Sequence, residues 1–191
     1  YLYLPPYFCC MADKAWYKDW FNSPFYHKLY FDRDDQEASA FIKKLIEHLK
    51  PPPRSRMLDV ACGKGRHSKT LASLGFQVTG IDISFDSILQ AKQYESEQLD
   101  FYVHDMRNTF RTNYYDMVCN LFTSFGYFTS SHDNIAAARA MYQNTKKGGM
   151  VLIDFVNREH AIQNILARKH EELVLDSIQF TIDRDFDDDQ K

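Results

Sequence analysis

Cysteine is sparse. Four thiols, Cys9, Cys10, Cys62 and Cys119, are spread over 191 residues. Neither their number nor their spacing describes a disulfide framework or a zinc site, and no other metal-ligand pattern is evident. Cys62 and Cys119 fall in apolar stretches, so they read as buried free thiols in a reducing compartment, the cytoplasm. A surplus of one charge is also missing. The 23 basic and 26 acidic side chains leave a net charge of −3. Such a balance exerts no long-range pull on nucleic acid or anionic lipid, so neither is the expected partner. No uninterrupted apolar run is long enough to span a bilayer. Residues 1–10 hold no Met and no basic stretch, and Pro5-Pro6 interrupts them. They make a poor signal peptide and read as sequence upstream of a start at Met11. Internal repeats and low-complexity linkers are absent as well.

What remains is an ordinary globular composition, 45% hydrophobic and 26% charged, on a length that suits one domain with a sizeable core. Residues 36–49 place Ala38, Phe41, Ile42, Leu45, Ile46 and Leu49 at helical spacing, with Lys43, Lys44, Glu47 and His48 on the other side. Pro51-Pro52-Pro53 ends that helix. From there strands and helices alternate. Strands are predicted at 56–60, 76–81, 100–104, 115–121 and 150–156. Helices are predicted at 66–74, from Ser84 onward, at 133–145 and at 158–169. Gly148-Gly149 is expected to stop the third of these helices, and one or two strands follow over 173–186. This alternation predicts an α/β fold: a Rossmann-like, doubly wound, mostly parallel sheet flanked by helices. The expected organisation is an N-terminal extension and aromatic segment (1–35), a core (36–157), and a helix followed by a β-rich stretch (158–191).

The most informative segment is Leu58-Asp59-Val60-Ala61-Cys62-Gly63-Lys64-Gly65-Arg66-His67-Ser68, a strand running through a glycine turn into a helix. Gly63 and Gly65 let the backbone approach a ligand closely. The helix start offers unpaired amides to an anionic group. Asp82 closes the second strand, 17 residues after Gly65. A carboxylate there can accept both hydroxyls of a ribose, or it can cap the helix that follows; its place at a strand's carboxyl end favours the ribose. Asp105 ends the third strand. It is either a turn residue or an acceptor for an adenine amino group, with the Met106 amide facing a ring nitrogen. A dinucleotide and S-adenosylmethionine both fit a glycine turn with a ribose acid. Three details favour S-adenosylmethionine. Ser68 stands where the dinucleotide fingerprint has its third glycine. Asp59 would repel a pyrophosphate but suits the ammonium of a methionine moiety. Asp105 supplies a second adenosine contact.

On these residues the chain resembles the class I S-adenosylmethionine-dependent methyltransferases. Leu58 to Gly65 is similar to the family's first motif, with Ala61 in place of the first glycine of the commonest form. Gly80-Ile81-Asp82 resembles the ribose-binding segment, and His104-Asp105-Met106 the adenine-binding one. Asn120 to Phe128 resembles the fourth-strand motif of small-molecule members, and Gly148 to Asp154 the fifth-strand segment. The likeness spans roughly residues 40–157. It implies a cofactor site made from Asp59, Ala61, Gly63, Gly65, Arg66, Asp82, Ile83, Asp105, Met106, Asn120, Leu121 and Phe122. It also implies a methyltransferase acting on a small-molecule acceptor. A nucleoside-binding domain with a regulatory or scaffolding role and no turnover is the alternative. A nicotinamide-dependent oxidoreductase is a weaker one, opposed by Ser68 and Asp59.

Methyl transfer from a sulfonium mainly requires alignment of donor and acceptor, worth roughly 7–11 kcal/mol of barrier. A general base is needed only where the acceptor must lose a proton, so no catalytic residue is assigned. Of the 29 aromatic residues, 12 lie in residues 1–31 and 7 in 110–128. Trp16, Trp20, Phe25, Tyr26 and Tyr30 in the first group, and Phe122, Phe125 and Tyr127 in the second, are core or the two walls of one pocket, and the resemblance implies that the first group forms a lid over the cofactor. His27, Tyr30 and Tyr127 are the polar candidates on the acceptor side. Arg66 or His67 can reach a methionine carboxylate; otherwise they form a solvated pair. His170 and the acidic run from Asp183 to Asp189 read as exposed, and their spacing fits no calcium loop. The family's sheet has seven strands, and only five are placed by Val156. The sheet is therefore expected to be short, or the chain incomplete at its C-terminal side, with an exposed fifth-strand edge.

Overall fold

A computed structural model of the chain describes residues 23–29 and 35–184. They divide between two compact units that meet in sequence after Phe155. Among the described residues the first element of the larger unit is helix α1 (Pro24–Leu29). Ser23 precedes it, and its hydroxyl accepts the Phe25 amide at 3.2 Å. Proline suits the first helical position, where no amide partner is needed. Helix α2 (Asp35–Leu49) buries Ala38 and Ile42, and Phe41, Leu45, Ile46 and Leu49 pack beside them. Lys43, Lys44, Glu47 and His48 stay exposed, so the amphipathic stripe is placed as expected.

The core then alternates: β1 (Arg56–Val60), α3 (Arg66–Ser73), β2 (Gln77–Asp82), α4 (Phe85–Ala91), β3 (Leu99–Val103), β4 (Tyr115–Asn120), α5 (Ser131–Asn144) and β5 (Thr145–Ile153). The strands form one sheet in the order β3-β2-β1-β4-β5, and every pairing is parallel. Alternate strand residues feed two cores. Met57, Val78, Phe101, Met117 and Cys119 pack with Ile42, Leu71, Ile88 and Ala91 of α2, α3 and α4. Leu58, Val60, Ile81 and Val118 pack with Met141 of α5. Helices therefore cover both faces, the doubly wound arrangement expected from the alternation. Cys62 and Cys119 are buried free thiols, and burial pushes the Cys62 thiol well above its ordinary value, with Asp59 and Asp82 adding to it.

The largest difference from expectation is at the start of β5. Gly148-Gly149 does not stop α5, which ends at Asn144, and β5 already begins at Thr145. The strand bulges instead. Tyr115 pairs with Thr145, but Met117 pairs with Met150, so Lys146 to Gly149 are looped out. Gly148 takes φ +80, and a Cβ on Gly149 would lie 2.8 Å from the Asp116 carbonyl oxygen, so the bulge needs both glycines. Lys146 Nζ fixes it by donating to Asp116 Oδ1 at 2.7 Å. β5 is one edge of the five-stranded sheet. Met150, Val151 and Ile153 on it keep between 38% and 42% exposure, and among the described residues no further strand pairs with it.

The second unit includes α6 (Arg158–Ala167) and a hairpin of β6 (His170–Leu175) and β7 (Ile178–Asp183). Asn157 caps α6 by accepting the His160 amide at 3.1 Å. Asp176 and Ser177 join the strands with φ of 47° and 64°, the two left-handed residues of a tight hairpin turn. β6 therefore starts three residues before the predicted strand.

Candidate functional site

Parallel strands bring their carboxyl ends to one side of the sheet, and five short segments converge there. The register aligns Val60 with Ile81 and Asn120, Asp82 with Val103, and Asn120 with Ile153. The residues after each strand are thus neighbours: the glycine turn, Asp82-Ile83, His104-Asp105-Met106, Leu121-Phe122 and Asp154.

The turn after β1 is left-handed at three positions, with φ of +60 at Ala61, +55 at Gly63 and +80 at Gly65. These glycines have different reasons. A Cβ on Gly63 would meet nothing within 4 Å, so its conformation alone calls for glycine and the space beside it is open. A Cβ on Gly65 would fall 2.5 Å from the Phe101 ring, and one on Gly80 equally close to the same ring. Phe101, fully buried on β3, packs under the turn and demands both glycines. Its part was not visible from the spacing of the motif.

Three carboxylates sit at the ends of β1, β2 and β3. Asp59 is 1% exposed, and its Oδ2 accepts the Ser68 hydroxyl at 2.6 Å. Burial pushes its carboxyl up to about 7, and Asp82 adds to the rise against the opposing pull of Ser68 and Arg66. Asp82 accepts the Gly63 amide on Oδ2 and the Ser84 amide on Oδ1, each at 2.8 Å. It therefore ties the glycine turn to β2 and also supports the start of α4, whose cap is Ser84. Burial raises the Asp82 carboxyl, while the Ser84, Gly63 and Ile83 amides oppose that. Asp105 accepts hydrogen bonds from Arg107 on both oxygens. Ile83 and Met106 are half-buried, and Met106 packs against the second core cluster.

The fourth strand contributes Asn120 and the turn after it. Asn120 is fully buried, and its Nδ2 donates to the Val60 carbonyl at 2.9 Å, joining β4 to β1. Its Oδ1 is buried with no hydrogen-bond partner, an arrangement that costs about 1–3 kcal/mol unless a donor reaches it. Leu121 is buried. Phe122 and Thr123 are both left-handed, at φ +57 and +59, a conformation that costs about 1–2 kcal/mol per residue. Asp154, at the end of β5, offsets part of that cost: its Oδ2 accepts the Phe122 amide at 2.9 Å. The motif pattern did not single out Asp154 as a site residue, although its being the one charged residue in the apolar run 150–156 is the signal that could have.

Arg66 and His67 do not form a solvated pair. The Arg66 guanidinium lies 4.4 Å from the Phe122 ring centroid and 4.0 Å from Glu37. His67 is buried and its ring packs 4.7 Å from that of Phe122, with Phe41 edge-on to both. Burial first, and Arg66 second, lower its pKa to about 3, so the imidazole is neutral. Its Nε2 is buried without a partner. Phe125 packs against the second core cluster, and Tyr127 is half-buried. Phe25 is half-buried in α1. Trp16, Trp20, Tyr30 and the side chains of Tyr26 and His27 lie outside the described residues.

This arrangement fits S-adenosylmethionine. The space beside Gly63 is open, Asp59, Asp82 and Asp105 lie at or next to the carboxyl ends of β1, β2 and β3, and Asn120 Oδ1 and His67 Nε2 are buried without hydrogen-bond partners. Fold and strand-end residues together define a class I methyltransferase architecture. The family model described as a methyltransferase domain matches residues 57–149. A glycine/sarcosine N-methyltransferase of Aphanothece halophytica is 30% identical over 143 residues, covering 72% of this chain and 52% of that protein. The solved structure of S-adenosylmethionine-bound CalS10, an amino pentose methyltransferase from Micromonospora echinaspora, is similar with a TM-score of 0.58 and 26% identity. It covers 72% of this chain and 58% of that one. An S-adenosylmethionine-dependent methyltransferase from Clostridium acetobutylicum has the same fold, with a TM-score of 0.68 at 22% identity over 86% of this chain and 68% of that one. Residues 57–149 thus carry a methyltransferase domain, and the fold is that of the class I enzymes, which use S-adenosylmethionine as methyl donor. The chain spans 43% to 62% of the length of the first curated relatives it matches. No helix among the described residues is long and apolar enough to cross a membrane.

Proposed function

We propose that the chain binds S-adenosylmethionine at the carboxyl ends of β1 to β4 and transfers its methyl group to a small-molecule acceptor by in-line displacement. The observation that carries this reading is the left-handed, open turn at Gly63, hydrogen-bonded to Asp82. When bound, S-adenosylmethionine supplies a methyl group already activated by its positive sulfur. The residues of the chain bind and orient. Asp59 faces the ammonium, and Arg66 with the neutral His67 meets the methionine carboxylate at the start of α3. Asp82 accepts from the ribose hydroxyls and Ile83 packs on the adenine. Asp105 and the Met106 amide read the purine edge. The Asn120-Leu121-Phe122 turn, held by Asp154, lines the side where donor and acceptor meet, and its apolar ring excludes water.

An amine acceptor suits this site best. A neutral amine attacks with its lone pair, and its proton leaves afterward, so no positioned base is required. Two relatives named above carry amines in their own substrate names, which supports starting there. The test is incubation with methyl-labelled S-adenosylmethionine and a panel of glycine, sarcosine, amino sugars, hydroxylated aromatics and carboxylic acids. Label on an amine supports the proposal. Tight binding of S-adenosylhomocysteine with no label on any acceptor favours the binding-only role.

A further inference from the structure

The carboxylate of Asp105 is clamped by its own neighbour. Arg107 Nε lies 3.1 Å from both Oδ1 and Oδ2, and Nη2 donates to Oδ2 at 2.6 Å. The Arg107 amide adds a bond to Oδ1 at 3.0 Å. Four contacts from one residue fix both the rotamer and the plane of the carboxyl group. The guanidinium is fixed in turn. Its Nη1 reaches Asp133 Oδ2 on the first turn of α5 at 3.3 Å, and its carbon sits 5.1 Å from the Phe128 ring centroid. A chain of groups therefore runs from α5 through Arg107 to the end of β3. The side chains of Asp105, Arg107 and Asp133 keep about a fifth to a third of their surface, so the cluster sits at the rim of the site.

Fixing a carboxylate has a chemical consequence. An ionised carboxylate only accepts hydrogen bonds. It matches a purine with an amino group at position 6, which donates, and opposes one with a carbonyl there, which accepts. Discrimination of this kind depends on the carboxylate staying where the purine edge falls, because a mobile group can turn away from the wrong base. We propose that Arg107, held by Asp133 and Phe128, is a positioning residue that sets Asp105 for the 6-amino group and makes the site selective for adenosyl over inosyl ligands. This rests on the cofactor reading above.

The test is calorimetric titration of the full chain with S-adenosylhomocysteine and with S-inosylhomocysteine, which differ in that one group. The wild-type chain should prefer the adenosyl ligand. Arg107→Met should reduce the preference about tenfold through weaker binding of the adenosyl ligand, with binding of the inosyl ligand changed less than about twofold. Arg107→Lys should restore only part of it, because an ammonium lacks the planar fork. Asp133→Asn should shift the preference in the same direction by a smaller factor, and it leaves Arg107 in place should Arg107→Met fail to fold. An unchanged or increased preference in folded Arg107→Met or Asp133→Asn would overturn the positioning role. Failure of the wild-type chain to bind either ligand would instead overturn the cofactor reading beneath it.

Discussion

Replacing Asp59 by Asn separates the cost of a buried charge from the hydrogen bond that the same side chain makes. The carboxylate is 1% exposed and its pKa is pushed up to about 7 by burial, whereas the unfolded chain holds it near the ordinary value of 3.8. The folded state therefore binds more protons than the unfolded state between those two values. Stability must fall as pH rises through that window, and level off above about 7. Integrating between pH 5 and pH 8 gives a loss of about 2–3 kcal/mol attributable to this group. Asn keeps an oxygen to accept the Ser68 hydroxyl and carries no charge. Urea unfolding of both proteins at pH 5 and pH 8 reads the effect, since groups that do not interact with Asp59 cancel in the difference and the coupled carboxyl of Asp82 titrates with it. Asp59→Asn should lose less stability than the wild-type chain over that range, by about 2–3 kcal/mol, and be the more stable of the two at pH 8. Parallel pH profiles would refute the claim that Asp59 is buried as a costly charge.

Other consequences are independent of that one. Gly80→Ala should destabilise by about 1–3 kcal/mol, because its Cβ would lie 2.5 Å from the Phe101 ring. The same change in a Phe101→Ala background should cost much less, and additive losses in a denaturation cycle would exclude the contact as the cause. Ala61→Gly should raise stability by about 0.5–1 kcal/mol, since Ala61 sits at φ +60; a lowered midpoint in urea would contradict the strain argument. In the hairpin, His170 Nδ1 lies 2.7 Å from Asp183 Oδ1, and Asp183 raises the His170 pKa, with Glu172 adding to it. Its stabilising contribution is full below the ordinary histidine value and is lost as pH rises through the raised one. Titration by NMR should show Asp183→Asn lowering that pKa, and an unchanged titration would remove the pair.

Much of the fold is legible in the residues because strand and helix periods switch cleanly. Met57 to Val60, Val78 to Ile81 and Tyr115 to Leu121 are mostly apolar segments of strand length, and α2 carries its stripe openly. The bulge in β5 was hidden because Lys146-Lys147-Gly148-Gly149 has the composition of a loop, and only the pairing with β4 shows that it interrupts a strand. Asp82 and Asp105 stand out because each follows a strand-like run, and Asp59 because it is the one carboxylate in the run from Arg56 to Val60. Their partners do not. Arg107 reaches Asp105 across two positions and Asp133 across a long sequence gap, and nothing in periodicity marks such a bridge. His67 beside Arg66 reads as polar surface, yet packing by Phe41 and Phe122 buries it, a tertiary effect on a residue whose neighbours in sequence, Arg66 and Ser68, are polar. Phe101 looks like one more strand residue until its ring is seen beneath Gly65 and Gly80.

The central claim, that these strand ends form a site for S-adenosylmethionine, is tested most directly by titrating the chain with S-adenosylhomocysteine before and after Asp82→Ala. Saturable binding at one site, weakened by about 1–3 kcal/mol in the variant through loss of a charge-assisted acceptor, is the predicted result. Affinity unchanged by Asp82→Ala, or no binding to the folded wild-type chain, would contradict it.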